Sequence, residues 1–287
     1  MRGVAVAIKA MDPALIPELA RWISSVDHPY SLQRSSVSSE VLLALDKVLA
    51  ALDAGVIRAV EPLGPGRWRL NPTVLQAIRL CNLIGGARLI RAGDLGFFDH
   101  LPTKFSGLKE ADLVATGVRV VPPAVIRRGS YLGRDVVVMP SSIGTGAYID
   151  DGSMIDTWAS VGCCAQVGRK VHVSVNAVVG DSSAQDAVYP AIVEDHCFVG
   201  AGVVIADGVL VQAHAVIGMG VLIDRHTPIY SRERGLMVSG LIPTGSVVVA
   251  GSLPSDGTGD ARPCALIVKQ VDAQTRQRIG VNELLRS

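Results

Sequence analysis

Between residues 137 and 229, aliphatic side chains recur at every sixth position. From Val137 the series runs Val137, Ile143, Ile149, Ile155, Val161, Val167, Val173 and Val179. A second series runs Val193, Val199, Ile205, Val211, Ile217, Ile223 and Ile229. Val120, Ile126 and Leu132 precede them, with one five-residue step between Leu132 and Val137. A helix spaces apolar residues by three and four, and a half-buried strand alternates by two, so a period of six fits neither. It fits a parallel β-helix, in which each hexapeptide supplies one short strand and one corner, and three close a triangular coil of about 18 residues. Gly or Asp follows the aliphatic residue at Gly144, Asp150, Asp156, Gly162, Gly168, Gly180, Gly200 and Gly218, where the chain must turn. The pattern predicts a mainly β chain built on a left-handed parallel β-helix, spanning about 111–250.

The two long series are out of register by two residues. Between them lies DSSAQDAVYP, residues 181–190, which has no aliphatic period and reads as a loop carried out from a corner. Residues 1–110 do not follow the repeat and read as an N-terminal α/β cap. Ser39-Glu40 opens an amphipathic helix that Gly55 closes, Ile57 to Leu70 reads as a hairpin around Gly64-Pro65-Gly66, and Asn71-Pro72 starts a second helix ending at Gly85-Gly86. Residues 251–287 read as a C-terminal extension. Val247 to Ala250 and Ala265 to Val268 are expected strands flanking the flexible SLPSDGTGDARP, with a short helix in the tail.

Composition narrows the picture. Hydrophobic residues make up 49% of the 287, enough for a large core, and aromatics only 4%, which suits narrow repetitive coils. The net charge of +1, without a basic block, argues against nucleic acid as the main partner. Residues 198–223 are apolar, but their glycines, Asp207, Gln212, His214 and the period of six argue against a membrane span. The apolar run before Lys9 is too short for a signal-peptide core, so a cytoplasmic location is expected. Cys81, Cys163, Cys164, Cys197 and Cys264 form no CxxC pair and read as reduced, mostly buried thiols. His196 and His214 stand one coil apart, but no third histidine has a compatible spacing, so no metal is expected.

Several segments carry a resemblance more specific than the repeat: RVVPPAVIRRGSYLG, GAYIDDGSMIDTWASVGCCAQVG, VEDHCFVGAG, IPTGSVVVAGSLPS and IVKQVDAQTRQRIGVNELLR. From about residue 38 to its end the chain resembles the tetrahydrodipicolinate N-succinyltransferase family of lysine and diaminopimelate biosynthesis. The resemblance implies a homotrimer with three active sites, each in a cleft between neighbouring β-helices. A coenzyme A thioester would lie along one coil face and meet a dicarboxylic amino substrate from the adjacent subunit. Arg119 and Asp156 match family substrate-binding positions, and Trp158 lies in the same DTWAS stretch and is taken as substrate-binding with them.

The chemistry suits these residue types. An amine attacking a thioester must be neutral, so a group must accept its proton, and Asp156 is the candidate catalytic base. An arginine fork suits a substrate carboxylate, the role expected of Arg119. Backbone amides near Gly218 and Gly220 are expected to receive the oxyanion, and Lys269 and Arg276 to face the coenzyme's phosphates, as is Arg278. Each residue also has a plainer reading: Asp156 as a corner cap like Asp150, Arg119 as a surface charge, and the tail residues as a solvated basic segment.

The chain departs from the family in two places. The family follows its VHLS with a glycine-rich stretch and a glutamate proposed to assist the aspartate. Here VNAVVGDSSAQD follows VHVS and the aligned position is Ala184, with Asp181 and Asp186 nearby. An arginine of the family's N-terminal region is replaced by Leu83. Two enzyme readings follow: the succinyltransferase itself, or a diverged paralogue of secondary metabolism, like the tabtoxin-biosynthesis relative, that uses acetyl-coenzyme A or another donor on a lysine-like amino acid. A non-catalytic β-helix is the third reading.

Overall fold

In the computed structural model the residues described are 37–84, 87–92, 95–180, 189–254, 261–278 and 280–285. Two-residue strands stack in parallel into three sheets, the faces of a left-handed triangular prism. The first face carries Arg119–Val120, Val137–Val138, Met154–Ile155, His172–Val173, Phe198–Val199 and Val216–Ile217 in adjacent register. The second runs from Val125–Ile126 to Leu222–Ile223, and the third from Tyr131–Leu132 to Leu241–Ile242. The hexapeptide period is therefore the coil period, and the repeated aliphatic residues form the interior. Ile143, Ile149, Ile155, Val173, Val199, Ile205 and Ile217 are wholly buried. Full burial of one such side chain stabilises by about 1.5–3 kcal/mol, and the ladder repeats it along the prism.

The structure corrects the ladder at one rung. Val138, not Val137, points inward, and Val137 stands outward in line with Arg119 and Met154. The five-residue step therefore falls between Val138 and Ile143, around Met139-Pro140-Ser141, rather than after Leu132. Two adjacent valines make both counts possible in the sequence, and only pairing register separates them. The other interruption is as expected in position: strand Val178–Val179 lies on the second face and Ile192–Val193 on the third, so the extra residues leave from the corner between them. Residues 181–188 of that loop, with Ala184, Asp181 and Asp186, lie outside the described residues.

The N-terminal layer packs on the third face. Helix α1 (Ser39–Asp53) is capped by Ser38, whose hydroxyl accepts from the Val41 N–H, and Gly55 follows its end at φ +68°. Helix α2 (Pro72–Ile84) is capped by Asn71, which accepts from the Val74 N–H at 3.2 Å. Gly85-Gly86, the expected stop, lies outside the described residues. The hairpin Val60–Gly64 and Arg67–Leu70 forms as expected. A second hairpin, Arg88–Ala92 with Leu95–Asp99, and helix α3 (Glu110–Thr116) carry no strong apolar period and escape the sequence reading. Leu45, Leu49, Ile78 and Cys81 of the two long helices bury with Cys164 and Ile192 of the coils, fastening the layer to the prism.

The same attachment uses polar contacts. The buried Glu194 carboxylate accepts from the Gly66 N–H at 2.8 Å, Trp68 Nε1–H at 2.9 Å and the Ala213 N–H at 3.2 Å. Lys104 Nζ donates to Asp53 Oδ1 at 2.8 Å and to the Ser130 carbonyl at 2.7 Å, tying the end of α1 to a corner.

At the other end, Ser246–Pro254 and Ala261–Gln270 form a long antiparallel pair, extending further than the sequence indicates. Helices α4 (Ala273–Arg278) and α5 (Val281–Leu284) follow it. Leu284 buries with Val216, Val247 and Val268 against Phe198, so the C-terminal segment covers the upper part of the first face and leaves its lower part open. Among the described residues no helix is long and apolar enough to cross a membrane.

Candidate active site

The open part of the first face gathers the sequence-selected residues. Arg119 lies two strand spacings, about 9–10 Å, from Met154, and Asp156 follows Met154 by two residues at the corner. Arg119 is exposed, and among the described residues its guanidinium makes no ion pair.

Asp156 follows the buried Ile155 at the corner leaving this face. Its Oδ1 accepts from the Thr157 N–H at 2.7 Å, the corner-capping role open to any aspartate at this position. Its Oδ2 faces His172 Nε2 at 3.5 Å. Asp150 gives the contrast. Its Oδ1 caps Asp151 in the same way, but its Oδ2 meets two guanidinium groups, Arg169 at 3.5 Å and Arg58 at 4.0 Å. Among the described residues Asp156 has no guanidinium partner, and its Oδ2 is left outside the corner cap.

His172 is the site residue that sequence reasoning missed. It lies on the first face directly above Met154 and below Phe198. The signal was its spacing of 18 residues from Met154, one coil, which places it outward beside the Asp156 corner.

Trp158 is exposed and takes a left-handed backbone, φ 59°, with its N–H donating to the Pro140 carbonyl at 2.6 Å. It begins a column of left-handed corner residues that climbs the prism through Asn176, Gly202 and Gly220. A Cβ at Gly202 or Gly220 would meet nothing within 4 Å, so these two glycines serve the left-handed corner and leave the edge bare, rather than making room for a neighbour. The corner therefore changes upward from indole and carboxamide to bare backbone.

Two of the amides expected near Gly218 to Gly220 are engaged in the ladder. The Gly218 N–H donates to the Val248 carbonyl at 2.8 Å and the Gly220 N–H to the Ala201 carbonyl at 2.9 Å, so neither is available to an oxyanion. The two glycines, Lys269 and α4 nevertheless converge on one end. Gly218 contacts the strand on which Val247 pairs with Lys269, and α4, bearing Arg276, follows that strand pair. Asp156 and Gly218 occupy equivalent corner positions three strand spacings apart, about 14 Å.

His196 and His214 do stack one coil apart, with ring centroids 4.9 Å apart and planes 3° from parallel. Among the described residues no three His, Cys, Asp or Glu side chains gather closely enough to hold a metal ion. All five cysteines are thiols. Burial pushes the Cys81 thiol up to about 12 and the Cys164 thiol well above its ordinary range. Neither has the character of a nucleophile.

A coiled prism with this repeat is a hexapeptide-repeat β-helix, and residues 190–225 match the family model described as the hexapeptide repeat of succinyl-transferase. The chain is 45% identical over 244 residues to the 2,3,4,5-tetrahydropyridine-2,6-dicarboxylate N-succinyltransferase of Sodalis glossinidius, covering 85% of this chain and 89% of that one. The enzyme of the same name from Acinetobacter baylyi is 45% identical over 87% of this chain and 91% of its own. That of Xylella fastidiosa strain 9a5c is 43% identical over 96% of this chain and 99% of its own. The chain belongs to the tetrahydropyridine-dicarboxylate N-succinyltransferase family, whose members are acyl-coenzyme A-dependent N-acyltransferases. The paralogue of secondary metabolism and the non-catalytic β-helix are not favoured by these relatives.

Proposed function

We propose that the chain transfers a succinyl group from succinyl-coenzyme A to the amino group freed when water adds to the C=N bond of a tetrahydropyridine-2,6-dicarboxylate-type substrate and opens its ring. In this reading Arg119 grips a substrate carboxylate with its paired N–H donors and Asp156 accepts the amine proton as nitrogen attacks the thioester carbon. Trp158 supplies an apolar wall. The acyl donor lies along the glycine-bearing edge, its thioester near Asp156 and its distal part toward Gly218, Gly220, Lys269 and Arg276. The chain works as a cytoplasmic homotrimer, whose neighbouring prisms close the open face into a cleft.

The single observation that carries this reading is the Asp156 oxygen left outside its corner, on the same open face as an unpaired Arg119. Asp156→Asn keeps the corner cap through its carbonyl oxygen but removes the base. We expect kcat to fall by about 10²–10⁴-fold, with the thermal midpoint held and both KM values within a few fold. Wild-type kcat in the variant would sink the assignment.

A further inference from the structure

We propose that His172 is the positioning residue of Asp156, and that its Nε2 takes on from the carboxylate the proton released by the attacking amine. The inference rests on the role given to Asp156 above. Four observations carry it. Asp156 Oδ2 and His172 Nε2 stand 3.5 Å apart, while Oδ1 is held by the Thr157 N–H. His172 Nε2 is itself fully buried and has no hydrogen-bond partner. The His172 side chain as a whole is 41% exposed, so a proton reaching it has a path to solvent. The edge of the Phe198 ring, with centroids 5.4 Å apart, fixes the imidazole's plane.

The surroundings single out the pair. The strand below His172 presents Met154 and the strand above presents Phe198, both uncharged. On its own segment the nearest charge is Lys170, at the preceding corner, and the carboxylate it meets is Asp156.

The step balances. Water adds across the ring C=N bond of the tetrahydropyridine and the ring opens to an amine and a ketone; the amine nitrogen then bonds to the thioester carbon and the C–S bond breaks. The nitrogen's proton passes to Asp156 Oδ2 and on to His172, whose imidazolium releases it to water. The departing thiolate takes one proton from water. The products are an amide and a thiol, and the protein is unchanged.

The test uses the full chain with succinyl-coenzyme A and 2,3,4,5-tetrahydropyridine-2,6-dicarboxylate. His172→Ala is expected to lower kcat about 100-fold while leaving both KM values within about threefold. The acid limb of the kcat profile moves with the loss of the imidazole, which a packing defect would leave in place. Added imidazole restores kcat about tenfold, which a packing defect would not allow. If His172→Ala does not fold, His172→Gln replaces it and must show the same loss and the same shifted limb. Turnover within threefold of wild type, or a lowered kcat with an unmoved pH profile, overturns the inference. A silent His172 variant beside an inactive Asp156→Asn defeats this inference alone, whereas a fully active Asp156→Asn defeats the functional reading beneath it.

Discussion

Under the proposed function one corner carboxylate divides two tasks between its oxygens: Oδ1 of Asp156 caps the turn, and Oδ2, 3.5 Å from His172 Nε2, is left for the amine proton. The sequence alone cannot separate Asp156 from Asp150, because the difference lies in Arg58 and Arg169. Arg119 has the complementary role. Arg119→Ala should raise KM for the amino substrate about tenfold or more and leave that for the acyl donor nearly unchanged, since one charge-assisted pair is worth roughly 1.5–3 kcal/mol. Equal weakening of both substrates in steady-state kinetics would misplace Arg119.

The buried thiols give a pH prediction at the same scale. With the Cys81 thiol near 12, its thiolate fraction at pH 8 is on the order of 10⁻⁴. Alkylation by iodoacetamide at pH 8, followed by peptide mass mapping, should leave Cys81 and Cys164 unmodified in the folded protein and label them after denaturation. The sign for stability follows from the raised values. The folded state holds these protons more tightly, so their contribution is complete below the unfolded thiol value of 9.0 and is lost as pH rises from there toward about 12. Rapid labelling of Cys81 in the native protein would contradict its burial.

At the scale of elements, the period of six was legible because each inward position must be aliphatic to stack on its equivalent one coil away. It failed at Val137 for a local reason: Val138 is equally aliphatic, and a five-residue corner hides the change of count. The two long N-terminal helices were legible from caps and amphipathic spacing. The Arg88–Asp99 hairpin and α3 were not, since exposed short elements carry little apolar period. How the N-terminal layer attaches was also illegible. Glu194 reads as a corner acid, but it anchors the hairpin tip through donors as far as 128 residues away. Glu194→Ala leaves three donors without their acceptor and should cost about 2–4 kcal/mol in chemical denaturation. A change below about 0.5 kcal/mol, the range of ordinary surface substitutions, would mean that apolar packing alone holds the layer.

At the scale of the molecule, the prism is covered on its third face by helices and on the upper first face by the C-terminal segment, which leaves the lower first face open among the described residues. The resemblance identified the family that the relatives bear out, while the division of the first face into a covered and an open part is a property of three-dimensional packing. The Asp156-to-Gly218 column, about 14 Å long, gives a thioester arm a track with little side chain in its upper half.

The most direct test is steady-state release of coenzyme A with 2,3,4,5-tetrahydropyridine-2,6-dicarboxylate, comparing succinyl- and acetyl-coenzyme A. The account predicts turnover with the succinyl donor in the ordinary enzymatic range, on the order of 1–10³ s⁻¹, and a kcat/KM at least about tenfold below it with the acetyl donor. Equal or greater efficiency with acetyl-coenzyme A, or no thiol release with either, would contradict it.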